Sequence, residues 1–423
     1  MASDSTKKQE PTAAPYDKFA AIKITEFRNL LAGRFLFTMS MRMLATMLGW
    51  WVYNLTNDPL AIGMIGLSEI IPAISLALYA GHVIDISEKR RLLLRGLALY
   101  ILAVFILIAL STKYAPHYLS NHWIAICIYV TIFGTGIVRA FAGPVLNVML
   151  ASIVPREALP TATTWNQATY MSGSISGHAA GGFLIALLGN TGTLSVIACM
   201  MMISFVCVFR LKPKPPITAK GEKRTWESVK EGLSFVFKTK ELLGAVSLDM
   251  FAVLFGGAVA MVPVYARDIL KVGPEGFGML NAASDIGAIC SVLLLTLFPM
   301  RKQQGTKLLI AVAGFGICII VFGLSKLYWI SFAVLLLSGM LDGISVVVRG
   351  TITQLKTPDN MRGRVMSVNS MFINSSNELG QFESGLTARL MGTVPSVVFG
   401  GCMTLMVVAF TWFKAPALRK MEY

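Results

Sequence analysis

Charged side chains recur in stretches of this sequence that are otherwise apolar enough to cross a bilayer. They are Arg34, Arg42, Glu69, Arg139, Asp249, Asp285, Asp342, Arg349, Glu378 and Glu383. An ionisable group at membrane depth costs at least ~2.5 kcal/mol on insertion scales, so each is expected to face protein or water and to serve in ion pairing, anion binding or proton uptake. His178 adds a group that titrates near neutrality. Asn374, Glu378 and Gln381 follow one another at i, i+4 and i+7. A helix face that polar lines water or substrate rather than lipid. Enzyme chemistry finds little support: there is no dinucleotide or P-loop fingerprint, no Gly-x-Ser-x-Gly, and His82, His117, His122 and His178 are not at ligand spacing. No metal or cofactor is expected. Without a phosphate-binding loop, any work against a gradient must draw on an ion gradient or on the substrate itself.

The elements that hold these groups follow from composition. Of 423 residues, 55% are hydrophobic and 14% charged, and the mean hydropathy is +0.66, which excludes most soluble enzymes. A span needs about 20 mostly apolar residues. Apolar runs predict an all-α membrane protein of twelve helices, at 27–54, 60–83, 91–112, 121–150, 159–188, 192–210, 241–268, 275–299, 306–325, 328–354, 361–392 and 395–414. The formal net charge of +15 does not point to nucleic acid, because Lys and Arg cluster in alternate short gaps, as at Lys89, Arg90 and Arg91 and at Lys356, Arg362 and Arg364. The positive-inside rule puts those gaps and both termini in the cytoplasm. The N-terminal residues carry no signal-peptide pattern, so the first span is expected to remain. All six cysteines fall inside apolar runs without a Cys-x-x-Cys pair and read as reduced thiols.

The basic stretch 210–241 divides six predicted helices from six. Its Lys-Pro-Lys-Pro-Pro start cannot be helical, whereas Trp226, Val229, Leu233, Val236 and Phe237 recur at helical spacing and predict an amphipathic helix on the inner leaflet. The expected organisation is a polar tail 1–26, a six-helix bundle 27–210, a linker 211–240, a second bundle 241–414 and a tail 415–423. The two halves resemble each other. One offset sets Gly136 on Gly339, Pro155 on Pro358, Asn166 on Asn369, Gly177 on Gly380 and Gly182 on Gly385. Another places Ile62-Gly-Met on Phe277-Gly-Met, and Arg34 opposite Asp249. A duplicated six-helix unit puts a substrate site between the halves near the bilayer midplane. Pro155 and Pro358 mark the expected starts of the fifth and eleventh helices. Trp50 and Trp51 read as an interfacial belt.

From residue 27 to about 414 the sequence resembles the major facilitator superfamily, and most closely its bacterial branch of enterobactin exporters, the transmembrane secretion effectors. The resemblance rests on Arg34-Phe35 through NLTNDPLAIG, on GHVIDISEKRR (81–91), and on RGTITQLKTPDNMRGRVMSVN (349–369) running into SSNELGQFESG. The 81–91 loop matches the superfamily's cytoplasmic gate motif at Gly81, Asp85, Lys89 and Arg90, with Ile86 where the family has a basic residue. Arg362 and Arg364 are expected to anchor the inner surface, with gating as the second reading. The segment 173–182 resembles an antiporter element through Gly177, Gly181 and Gly182, with His178 where the family has Pro.

That resemblance implies a cavity lined by helices one, four, seven and ten. The first half then offers Arg34, Arg42 and Arg139, the second Asp249, Asp342 and Arg349. Two uses compete. Arg34 with Asp249, and Arg139 with Asp342, can be ion pairs joining the halves. Alternatively the arginines, with Asn166, Asn374, Glu378 and Gln381, hold an acidic substrate while Asp249 or Asp342 takes a proton. The family's packing of helices five and eight also implies a His178–Asp285 pair whose protonation biases opening. The resulting expectation is a monomeric, proton-coupled exporter of a small siderophore-like or drug-like solute in the bacterial inner membrane. Import, lipid movement or a non-transporting scaffold are the alternatives.

Overall fold

The computed structural model describes residue 19 and residues 21–143, 145–213, 226–300, 302–358 and 361–422; the side chains of residues 77, 78, 81, 82, 85, 86, 147, 148, 156, 226–229 and 258 lie outside that description. The helices are α1 (Thr25–Thr56), α2 (Pro59–Ile86), α3 (Lys89–Ser111), the single turn α4 (Ala115–Tyr118), α5 (Asn121–Ala142), α6 (Val145–Ile153), α7 (Leu159–Phe209) and α8 (Trp226–Lys238). They continue as α9 (Lys240–Gly256), the short α10 (Val262–Val264), α11 (Pro274–Leu297), α12 (Gln304–Leu324), α13 (Tyr328–Lys356), α14 (Arg362–Met391), α15 (Thr393–Lys414) and α16 (Pro416–Arg419).

Local chemistry explains most boundaries. Between α1 and α2 the sequence Asn57-Asp58-Pro59 supplies a left-handed residue (φ 53°) that ends one helix, a carboxylate that accepts from the Leu60 N–H at 3.0 Å, and a proline at the first helical position of the next. Three expectations are corrected. Residues 121–150 break between α5 and α6, where Gly143 is followed by a proline in the sequence. The run 241–268 is not one helix: α9 ends at Gly256, and a 3-10 turn (Gly257–Met261), α10 and a π turn (Tyr265–Ile269) follow. Gly257 lies so close to α14 that a Cβ there would sit 2.7 Å from the Gly380 carbonyl, and Pro263 lacks the N–H a regular helix needs. Pro155 and Pro358 do not open helices; α7 begins at Leu159 and α14 at Arg362.

Ten helices among the described residues are long and apolar enough to cross a bilayer. One of them, α7, runs 51 residues and changes direction at Gly189 (φ 65°, ψ −172°), a conformation only glycine adopts without strain. The polar α14 is 30 residues long but falls outside the ten. Leu99, Leu187, Leu297 and Phe410 stand exposed on the outer surface, as suits a chain solvated by lipid. The chain is an integral, multi-pass membrane protein.

Among the described residues, apolar side chains close into four clusters. Those around Met43, Ile128 and Met201 and around Phe27, Leu97 and Met149 draw on residues before 212. A third, around Leu242, Leu308 and Val348, draws on residues after 235. The fourth sets Tyr53 and Ile62 among Tyr265, Phe277 and Phe322 and so ties the two parts of the chain together. Trp50 and Trp51 belong to the helix packing rather than to an interfacial belt: Trp51 is buried in the cluster around Met43, and Trp50 stacks on Phe277 at 5.7 Å.

Glycines set the closest helix approaches. Gly173, Gly177 and Gly181 seat α7 on α1, and a Cβ at Gly177 would lie 2.6 Å from the Met39 carbonyl and 2.7 Å from the Arg42 Cβ. Gly182 faces Gly278 of α11. Gly177→Ala is therefore expected to cost roughly 1–3 kcal/mol by forcing two helix backbones apart, whereas Gly134→Ala, with open space around it, is expected to be neutral. Thermal melting of the purified variants checks this, and equal melting temperatures would refute it.

Candidate functional site

One polar cluster centres on Arg139 of α5. Gly136, one turn earlier, lets α5 press against α2, where an added Cβ would meet the Glu69 carbonyl at 2.5 Å; Gly66 of α2 does the same for α14, 2.8 Å from the Glu378 carbonyl. These approaches bring three charged side chains together. The Arg139 Nη1 donates to Glu69 at 2.7 Å and to Glu378 at 2.9 Å, and its Nη2 lies 3.5 Å from the Asn374 Oδ1. Arg139 and Glu69 come from the first half of the chain, Glu378 and Asn374 from the second. The polar face of α14 thus meets α2 and Arg139: Glu378 is buried, Gln381 is half-buried against Gly66, and Asn374 is exposed.

A second cluster joins α9 and α13. Asp249 forms an ion pair with Arg349, both nearly buried, while the Arg349 Nε donates to the Ser345 Oγ at 3.1 Å. Asp249, Asp342 and Ser345 line one small cavity of about 10 Å³, room for about one water molecule. Two expected pairs therefore do not form. Asp249 is taken by Arg349 of its own half rather than by Arg34, and Arg139 by Glu69 and Glu378 rather than by Asp342. In each case an opposite charge on a packed neighbouring helix takes the place of the one at the pseudo-equivalent position.

Helices α1, α7 and α11 share a polar seam. Arg42 donates to the Tyr170 hydroxyl at 2.7 Å, and Arg34 stacks over the same ring at 5.6 Å. His178 shares a 2.8 Å hydrogen bond with the Thr46 hydroxyl through Nδ1, and its Nε2 lies 3.8 Å from Asp285. Asp285 takes its short hydrogen bond, 2.6 Å, from Ser174. His178 and Ser174 both reach Asp285 of α11 from α7, so His178→Ala and Asp285→Asn are each expected to lower the melting temperature; unchanged melting in both variants rules this seam out as a tie between the two helices. Asn166 is buried on α7.

The expected gating residues spread over the surface that holds the α2–α3 turn. Gly81 and Asp85 have side chains outside the described residues. Lys89 is buried and donates to the carbonyls of Ile84 and Ser87, capping the end of α2. Arg90 donates to the Phe209 carbonyl at 2.5 Å, tying α3 to the end of α7. Arg364 pairs with Glu231 of α8 at 2.7 Å, and Arg362 is exposed. Helix α8 does not simply lie on lipid: Gly232 and Val236 are buried, and Gly232 packs on the Arg364 backbone.

The opposite end of the molecule carries contacts that the sequence did not suggest. Arg267 donates to the Asn54 side chain at 3.1 Å and to that of Asn57, and covers the Tyr53 ring at 4.9 Å. The Tyr53 hydroxyl donates to Asp268, and Arg389 pairs with Asp58 at 3.2 Å. These bonds join the α1–α2 turn to the π turn and to the end of α14. Tyr170 was likewise not singled out, and Glu69 was named among the membrane-depth charges without a partner. Each partner lies far away in sequence, and only the facing helix gives it a function.

A membrane-embedded helical protein with arginine–carboxylate clusters buried between its helices, one of them bridging two parts of the chain, has the build of a solute carrier. The chain belongs to the Major Facilitator Superfamily, whose model matches residues 30–381; members of this family are transporters. The enterobactin exporter EntS of Shigella dysenteriae serotype 1 is 24% identical over 270 residues, covering 63% of this chain and 64% of that protein. The chain thus matches less than two thirds of that exporter's length. An uncharacterized MFS-type transporter, y4rN, of Sinorhizobium fredii is 24% identical over 377 residues, 86% of this chain and 89% of that one. Among solved structures, a POT family transporter in complex with a thioalcohol conjugated peptide superposes with a TM-score of 0.72 at 13% identity, covering 93% of this chain and 96% of that one. The nucleoside transporter NupG does so with a TM-score of 0.62 at 14% identity, covering 93% and 98%. These likenesses establish the fold.

Proposed function

We propose that the protein is a proton-coupled exporter of a small acidic, siderophore-like solute, working by alternating access in the bacterial inner membrane. The observation that carries this reading is Arg139, held at once by Glu69 of the first half and Glu378 of the second. An arginine already bound to carboxylates is one that an anionic solute captures by exchange. Capture frees Glu378 and releases the bond between the halves. The cluster at Arg349 supplies the other half of the cycle: with Asp249 and Asp342 on one cavity beside one arginine, it carries one negative charge in excess, which a single proton neutralises. Arg34, Arg42, Asn166 and Gln381 complete the solute-facing surface in this reading.

The architecture proposed is twelve spans in two six-helix bundles, 27–210 and 241–414, with 211–240 as the cytoplasmic linker and both termini cytoplasmic. Twelve spans result from counting α7 on each side of Gly189 and adding α14 to the ten apolar helices. The basic gaps place the α2–α3 turn inside. In this reading the Arg267, Tyr53–Asp268 and Arg389–Asp58 contacts lie at the outer end.

The deciding experiment reconstitutes the full chain in vesicles, imposes a pH gradient, and follows a panel of acidic and neutral amphipathic solutes. Uptake into inside-out vesicles that reverses with the gradient supports export. Flux in the opposite sense identifies an importer. Absence of any gradient-dependent flux would favour a scaffold, against which the charged clusters on both halves stand as groups a passive protein does not need.

A further inference from the structure

A cavity lies apart from the proposed solute site, at the start of α3. It has a volume of about 180 Å³ and is lined by Ser87, Glu88, Arg91, Leu92 and Arg95. Arg91 and Arg95 stand one helical turn apart and are both exposed. Arg91 has a loose contact with Glu88, 3.6 Å, and its side chain is 70% exposed. Arg95 makes no ion pair or hydrogen bond with any described residue. One carboxylate against two guanidinium groups leaves one positive charge unmatched, next to the positive end of α3.

The same face of α3 continues upward without further charge. Leu99, Leu102, Phe105 and Ile106 follow at helical spacing, and all are exposed. In a membrane protein this stripe faces acyl chains. From Arg95 to Ile106 the helix rises roughly 16 Å, about the thickness of one leaflet's hydrocarbon. A basic pocket heading an exposed apolar helix face one leaflet long is complementary to a single amphiphile: a monoanionic head above a hydrocarbon tail.

We infer that this face of α3 binds an anionic phospholipid, its phosphodiester held by Arg91 and Arg95 and a chain lying along Leu99, Leu102 and Ile106. The guanidinium groups present paired N–H donors to phosphate oxygens, and the one unmatched positive charge of the pocket is neutralised by one phosphatidylglycerol-type headgroup. A zwitterionic lipid leaves that charge in place.

The test uses the full chain purified in detergent, titrated with phosphatidylglycerol, with phosphatidylethanolamine and with inorganic phosphate, and read by native mass spectrometry and by melting temperature. Phosphatidylglycerol is expected to be retained and to raise the melting temperature, with the other two additions doing neither. In the double variant Arg91→Gln/Arg95→Gln retention is expected to weaken roughly tenfold or more, while Lys302→Gln/Lys307→Gln, which removes the same charge from another exposed basic site, leaves it intact. Both arginines are exposed, so the lipid-free variant should melt as the wild type does; should it fail to fold, Arg95→Gln alone gives the same comparison. Equal retention in the wild type and the arginine variant overturns the site. Equal retention of phosphatidylethanolamine overturns the charge argument, and a matching response to inorganic phosphate overturns the lipid as occupant.

Discussion

Replacing Arg139 with glutamine is expected to abolish solute flux and to lower stability by about 3 kcal/mol, at the lower end of what removing one partner from a buried pair costs. The lower end applies because the Arg139 side chain is 33% exposed and that of Glu69 22%, so water screens part of the charge left behind. Two carboxylates then face each other without a cation, and their repulsion acts between α2 and α14, the helices that Gly66 holds in contact. The contrast variant is Glu378→Gln. It retains the 2.7 Å bond between Arg139 and Glu69 and removes only the ionic bond between the halves. Its stability loss is expected to be smaller, and its effect to appear as easier separation of α2 from α14. Thermal melting and the distance between spin labels on these helices separate the two effects. An Arg139→Gln protein that melts normally and transports at the wild-type rate removes the basis of the proposed mechanism.

The fold was more legible in the sequence than the site. Apolar runs found the long helices because lipid imposes a composition on any residue that faces it, and Gly189, lying in the expected gap between the fifth and sixth spans, marks a real change of direction. The break after Gly256 escaped notice because its cause is a neighbour: the approach of Gly380 from α14. The charged residues at membrane depth could be identified from cost alone, since burial without a partner is prohibitive. Their pairing could not. Internal symmetry suggested Arg34 with Asp249, but an ion pair forms with whatever opposite charge the packed helices present, and for Asp249 that is Arg349, one hundred residues on. Likewise residues 55–59 fell in the gap between the first two expected helices, while the contacts made there and at Asn54 with Arg267 and Arg389 depend on chain more than two hundred residues away.

Asp249→Asn is expected to eliminate gradient-driven flux while leaving solute binding and solute-for-solute exchange intact. The reasoning separates charge from structure. Around Arg349 there are two carboxylates, and Asp342 lines the same cavity as Asp249. Neutralising Asp249 therefore leaves Arg349 with a remaining counter-charge close by, and the stability loss should stay well below the ~3–5 kcal/mol typical when a buried ion is orphaned. Arg349→Gln is the opposite case: it confines two like charges in a space that admits about one water molecule, and the full penalty is expected. The melting temperatures should thus fall in the order wild type, Asp249→Asn, Arg349→Gln. Transport should order differently. If a proton taken up by this cluster drives the return step, Asp249→Asn fixes the site in its neutral form, and a pH gradient has nothing left to act on. Exchange of labelled for unlabelled solute, which needs no net proton movement, should persist. Gradient-driven flux at the wild-type rate in both Asp249→Asn and the double variant Asp249→Asn/Asp342→Asn would place proton uptake elsewhere, with the Glu69–Arg139–Glu378 cluster the next to test.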